Sequence, residues 1–289
     1  MKIGFLNFKT KNRLVLFIYE LINRYQYDKI SYMSGSVAYF FTLSVFPFIL
    51  FTNSIIGLLK LDADFIYKLF STFFPKEIVS IIAGYNDYIA NISNIYVLIV
   101  SILISIYSAS RGVEAVIISV NSIYKTKKRR FFIHRIMISI ILTIAVSIIL
   151  FVFLPLTIIG AKSLSKIYYT LEIGKILPNI PYWIFVIFIL LVIFFIMLFL
   201  YRFAPNKKIQ IKQLIPGSIF STVATALTGA GISLYIRISS RFSLLYGSIG
   251  AFVAIMLWFY IFSNIILIGS EINRVLEHKD CLTKEDFDD

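Results

Sequence analysis

Charge is scarce in this sequence: 15% of its 289 residues are charged, while 59% are hydrophobic. A water-soluble surface of ordinary composition cannot be built around so much apolar material, so lipid must be the solvent for most of the chain. Cysteine is scarcer still, with Cys281 alone in a polar C-terminal stretch. An intrachain disulfide and a multi-cysteine metal site are thereby excluded. The two histidines, His134 and His278, have no metal-ligand spacing around them. The chain also lacks a phosphate-cradling glycine loop, a GxSxG elbow and a CxxC pair. These absences assign no catalytic residue, no metal and no cofactor, and the expectation is a protein that is not an enzyme. The opening MKIGFLNFKTKNR has neither the unbroken apolar core nor the small-residue cleavage site of a secretory signal, so the first membrane helix is expected to be retained.

What is present is a set of long uncharged runs. Six cover about the 20 helical residues needed to cross hydrocarbon: Ile30 to Leu59, Tyr88 to Ser110, Ile136 to Ala161, Ile176 to Tyr201, Gln213 to Ile236 and Phe242 to Ser270. The second is expected to continue through Arg111 and Glu114 to about Tyr124, since no breaker intervenes. Net charge is +13, and its placement decides what it means. Nineteen of the 28 lysines and arginines fall before the first span, in the second and fourth connections, or after the last span. Eight fall in the odd connections. This alternation is the positive-inside pattern, which puts both termini in the cytoplasm and removes the main argument for nucleic-acid binding. Clustered cations in those loops also suit anionic lipid headgroups.

The predicted fold is therefore all-α: six transmembrane helices, an amphipathic N-terminal helix and a helical outer connection. Leu14, Phe17, Ile18, Leu21, Ile22 and Tyr25 recur at helical spacing within a cytoplasmic segment, 1–29. The membrane domain spans 30–274, and 275–289 form a polar cytoplasmic tail, acidic and expected to be disordered from Glu277 onward. Asp62 to Phe74 and Lys76 to Ile92 read as two short outer helices divided at Pro75. Pro47 and Pro155 are expected to kink the first and third spans.

Small residues line two helix faces. Ser101, Ser105, Ser108, Gly112, Ala115 and Ser119 share one face of the second span, and Gly217, Ser221, Thr225, Gly229 and Ser233 share one face of the fifth. Such seams let helices approach closely, and ordinary packing is favoured over a substrate path. Tyr107, Arg111, Glu114 and Asn121 occupy a flank of the second span, and Tyr260, Asn264 and Glu271 follow one side of the sixth. Ionisable groups at such depth face the bundle interior or an aqueous cavity. They form an internal ion pair, a functional cavity, or, for Arg111, a side chain that snorkels to the interface. Arg111 and Glu114 are expected to converge with Asn264 or Glu271, because both helices run in the same direction.

Four segments carry a family resemblance: VAYFFTLSVFPFIL at 37–50, YSASRGVEAVIISVNSIY at 107–124, FAPNKKIQIKQLIPGSIF at 203–220 and YGSIGAFVAIMLWFYIFSNIILIGSEIN at 246–273. Together they resemble the YihY/BrkB membrane proteins, some of which have carried a ribonuclease BN-like label. The resemblance implies a bacterial inner-membrane protein linked to envelope integrity, serum resistance or lipid export, without a settled activity to carry over. It implies that the ribonuclease label is a misassignment. Three functions follow as expectations: movement of a lipid or other anionic amphiphile, a non-catalytic protein organising envelope machinery, and, last, a membrane-embedded hydrolase. Membrane lipids are the expected partners, and a homo-oligomer is compatible with the sequence.

Overall fold

A helix satisfies its own backbone hydrogen bonds, which is why apolar runs of this length become helices in lipid. The computed structural model describes residues 13–59, 95–126, 131–149, 180–238 and 242–285, and these form seven helices among the described residues. They are α1 (Arg13–Tyr27), α2 (Ile30–Leu59), α3 (Ile95–Ile123), α4 (Phe132–Ile149), α5 (Ile180–Phe203), α6 (Ile211–Ile238) and α7 (Phe242–Glu285). Five of them, α3 to α7, contain stretches long and apolar enough to cross a membrane. The remaining run expected to span, Ile30 to Leu59, is one continuous helix of 30 residues that carries Pro47 inside it. The two short outer helices, Pro75 and Pro155 lie outside the described residues.

The helix α7 is the hub, packing against α1, α2, α3 and α6, while α2 pairs with α3 and α5 with α6. Val37 and Ala38 of α2, Val116, Ile117 and Val120 of α3, Tyr201 of α5, Leu214 of α6 and Leu267 of α7 are buried at these contacts. The outward surface stays apolar: Leu103, Ile187, Phe195, Leu227 and Leu257 are exposed, as lipid-facing side chains are.

The seam between α6 and α7 depends on missing side chains. A Cβ at Gly217 would strike the Gly269 carbonyl and the Asn273 side chain, and one at Gly269 would strike Ser221 Oγ and the Tyr201 hydroxyl. Polar bonds stitch the same place. Gly217 N donates to Asn273 Oδ1 at 2.7 Å, and the buried Tyr201 hydroxyl donates to the Ile266 carbonyl at 2.8 Å while lying 2.7 Å from Ser221 Oγ. On α3, Gly112 stands against the Phe41 ring of α2, with Ser105 buried on the same face and Ser108 partly so. Gly229 differs: among the described residues nothing lies within 4 Å of the place its Cβ would take. The small-residue face of α6 is thus packed at its Gly217–Ser221 end.

One expectation is corrected. The segment from Glu277 continues α7 to Glu285 as helix. Its sequence, EHKDCLTKE, is polar but has neither glycine nor proline, so solubility alone does not end the helix.

Candidate functional site

Two polar clusters form where the sequence places charge among apolar helices. The first joins α3 to α4. Glu114, with 4% of its side chain exposed, bonds with one oxygen to Arg111 one turn earlier and with the other to Arg135 Nε at 2.7 Å. Arg135 lies in the first turn of α4, so its long stem carries the guanidinium back along α3. Arg111 also lies against the Phe40 ring, 5.8 Å from its centroid, and Arg135 against Phe132 at 5.5 Å. A cavity of about 450 Å³ opens beside them, lined by Met33, Ser36, Phe40, Ile118, Ser119 and Ser122 together with the three ionic side chains. Two guanidiniums share one carboxylate here, so the cluster carries one surplus positive charge. A guanidinium has more N–H donors than the one each contact with Glu114 uses, which leaves donors for an anion among the described residues.

The second cluster ties α1 to α7. Glu271 is fully buried, and its Oε1 lies 3.5 Å from Arg24 of α1 and 3.5 Å from Arg274. Arg274 also bonds Asp28 at 2.8 Å, and Arg24 bonds Glu20 at 2.8 Å. Next to this network, the Tyr25 hydroxyl donates to Asn264 Oδ1 at 2.9 Å and Ser31 meets Tyr260 at 2.7 Å. Burial, with Tyr260 nearby, pushes the Tyr25 hydroxyl above its ordinary pKa and keeps it a proton donor.

The seven polar residues singled out from the sequence therefore separate. Arg111 and Glu114 pair with each other, as their i, i+3 spacing allows. The expected convergence with Asn264 or Glu271 is corrected: α1 supplies a partner to each, Tyr25 to Asn264 and Arg24 to Glu271, and Arg135 completes the first cluster. Tyr107 is 59% exposed and lies outside either cluster. Asn121 is a clamp: Nδ2 donates to the carbonyls of Ile117 and Ala204, and Oδ1 accepts from Asn206 N and Thr126 Oγ1. It holds the end of α3 to the α5–α6 connection. Arg135, Arg24, Asp28 and Arg274 were absent from the sequence candidates. Their signal was that each is a flanking charge close to the end of an apolar run that contains, or packs on, a carboxylate.

Among the described residues no three His, Cys, Asp or Glu side chains gather as a metal-binding group. Both Glu114 oxygens are engaged by guanidiniums, so neither is free to take a proton from water. The cluster suits the binding of an anion better than the activation of a nucleophile.

Fold and clusters together define a polytopic helical membrane protein with ionic groups inside its bundle. The family model described as virulence factor BrkB matches residues 21–287, and the chain belongs to that family. It is 30% identical to YfkH of Bacillus subtilis (strain 168), a protein described as ribonuclease-like, over 93% of this chain and 98% of that protein. It is 24% identical to the UPF0761 membrane protein VV0203 of Vibrio vulnificus (strain YJ016), covering 92% of this chain and 84% of the relative. A UPF0761 membrane protein of Alteromonas mediterranea is 26% identical over 86% of this chain and 84% of its own length. No solved structure matches the chain.

Proposed function

We propose that this chain is a six-span protein of the bacterial cytoplasmic membrane, with both termini in the cytoplasm, that moves a lipid or another anionic amphiphile along the α2–α3–α4 face. The observation that carries this reading is the surplus guanidinium at the Arg111–Glu114–Arg135 cluster, which borders a cavity with both hydroxyl and apolar walls. An unbalanced charge among membrane helices is costly unless a counter-charge reaches it. An anionic headgroup supplies that charge while its acyl chain follows Met33, Phe40 and Ile118. Arg111 lies 12 residues from the Ile123 end of α3, or about 18 Å along its axis, which supports a place for its charge within the bundle.

Reconstitution into liposomes with fluorescent anionic and zwitterionic lipids tests the proposal. The intact protein should move an anionic lipid faster than protein-free vesicles do, and Arg111→Lys, which keeps charge but loses the guanidinium fork, should slow that movement by roughly tenfold. A folded protein that moves none of a broad lipid panel sinks it.

A second reading, a non-catalytic protein organising envelope machinery, draws on α1, whose Val15, Ile18, Tyr19 and Ile22 form an exposed stripe at helical spacing. On that reading, folded Arg111 variants keep full activity in cells and substitutions on the stripe do not. A nuclease role receives no support from the engaged Glu114.

A further inference from the structure

At the α1 end of the bundle lies a second cavity, of about 580 Å³, well separated in composition from the one at Arg111. Arg24 of α1, Lys125 after α3, Lys207 after α5 and Arg274 of α7 bring four cations to its wall from four different parts of the chain. Asp28 and Glu277 are the carboxylates lining it, and each is taken: Asp28 by Arg274 at 2.8 Å and Glu277 by Lys207 at 2.6 Å. Glu20 and Glu271 hold Arg24 from outside the lining. Among the described residues Lys125 is the lining cation with no carboxylate partner; its ammonium stands 4.6 Å over the Tyr27 ring.

The backbone at Lys125 is the second observation. Lys125 N bonds the Ser122 carbonyl and Thr126 N the Asn121 carbonyl, the capping pattern that ends a helix with one left-handed residue. Glycine ordinarily holds that position because a Cβ is disfavoured there, yet here lysine does, at φ 49°. This turn puts Lys125 among the residues that line the cavity, and residues held in sparsely populated backbone regions are found at ligand sites. Tyr124, its neighbour, adds a hydroxyl that is buried without a hydrogen-bond partner. A tyrosine hydroxyl is neutral at about pH 7 and so can donate.

From this geometry we infer that the cavity between α1, the α3 end and α7 binds a phosphate-bearing anion, with Lys125 as its primary contact and Arg24, Lys207, Arg274 and Tyr124 supplying further donors. The volume is that of a small-molecule site, and Arg24, Lys207 and Arg274 have N–H donors that their ion pairs leave unused. In the proposed topology this cavity faces the cytoplasm at headgroup level, so the phosphate comes from a soluble phosphate ester or from a lipid headgroup. The inference does not rest on the transport reading.

The full chain in zwitterionic nanodiscs, titrated calorimetrically with inorganic pyrophosphate, tests the soluble source. Nanodiscs containing phosphatidic acid, read by thermal midpoint, test the lipid source. Binding in either arm is the expected result, and the arm that responds names the source. Lys125→Gly is the decisive variant, because glycine suits the left-handed turn and so preserves folding while removing the ammonium. It should weaken binding by roughly tenfold or more. Lys212→Gln, an exposed cation that lines neither cavity, should leave binding unchanged. No response in either arm, binding by Lys125→Gly equal to that of the unaltered protein, or loss in Lys212→Gln alone overturns the assignment.

Discussion

Replacing Glu114 with glutamine keeps the shape of the side chain and removes the single negative charge that two guanidiniums share. The amide also presents an NH2 where one oxygen stood, so one arginine then meets a donor instead of an acceptor. Breaking a buried ion pair from one side costs about 3–5 kcal/mol. Arg111 and Arg135 are 33% and 29% exposed, and this partial solvation places Glu114→Gln near the lower end, at about 3 kcal/mol. Either arginine changed singly to glutamine leaves the carboxylate one charged partner and costs roughly 1 kcal/mol. Changing both strands a carboxylate with 4% exposure, so the double variant should exceed the sum of the singles by at least about 1 kcal/mol. Reversible unfolding in mixed micelles reads these differences, since about 3 kcal/mol shifts the folding equilibrium roughly a hundredfold. An additive double variant, or a Glu114→Gln no worse than Arg111→Gln, would refute a shared carboxylate.

Gly217→Ala should separate α6 from α7 and destabilise by about 2 kcal/mol or more, because the atoms in its way include a backbone carbonyl; Gly229→Ala, whose Cβ would meet nothing among the described residues, should be neutral or stabilising by up to about 1 kcal/mol, and thermal melts of the pair compare them directly. Asn121→Ala removes the side chain that bonds two carbonyls, one amide and Thr126, so a loss of about 2 kcal/mol is expected, together with faster amide exchange at Asn206. Reporter fusions after Arg130 and after Lys208 should behave as cytoplasmic and those near Pro75, Lys166 and Ser240 as external; a reversal at two adjacent sites means that a span has been miscounted.

The helices were largely legible because lipid makes hydropathy nearly sufficient: a long uncharged run has few alternatives to a helix. The helix α1 was legible for another reason, since Phe17, Ile18, Leu21 and Tyr25 repeat at its period. The end of α7 was not, because polarity reports only that a segment is wet and not that it is disordered. Gly229 was similarly opaque. A small residue permits close approach, but whether a partner comes depends on the crossing of α6 and α7, which periodicity does not encode.

The ionic clusters show why charge counting hides sites. Arg111 and Glu114 were visible as neighbours one helical turn apart, whereas Arg135 comes from the next helix and entered the sequence reading only as one of the cations that orient the chain. Arg24 and Arg274 were counted the same way, although they converge on Glu271. A cation at the edge of a span can do both jobs, because its stem is long enough to leave the backbone at the boundary and carry the charge inward. Glu114 and Glu271 are the carboxylates inside apolar runs, and each draws at least one partner from such an edge. The physical rule that follows is local: an acid within a span requires a counter-charge, and the candidates are basic residues within a turn or two of the ends of neighbouring helices. Applied to Glu114, that rule selects Arg135. It also shows that orientation charges and site charges are not separate populations in this chain, so a substitution meant to alter topology at Arg135 should also weaken whatever the Arg111 cavity binds.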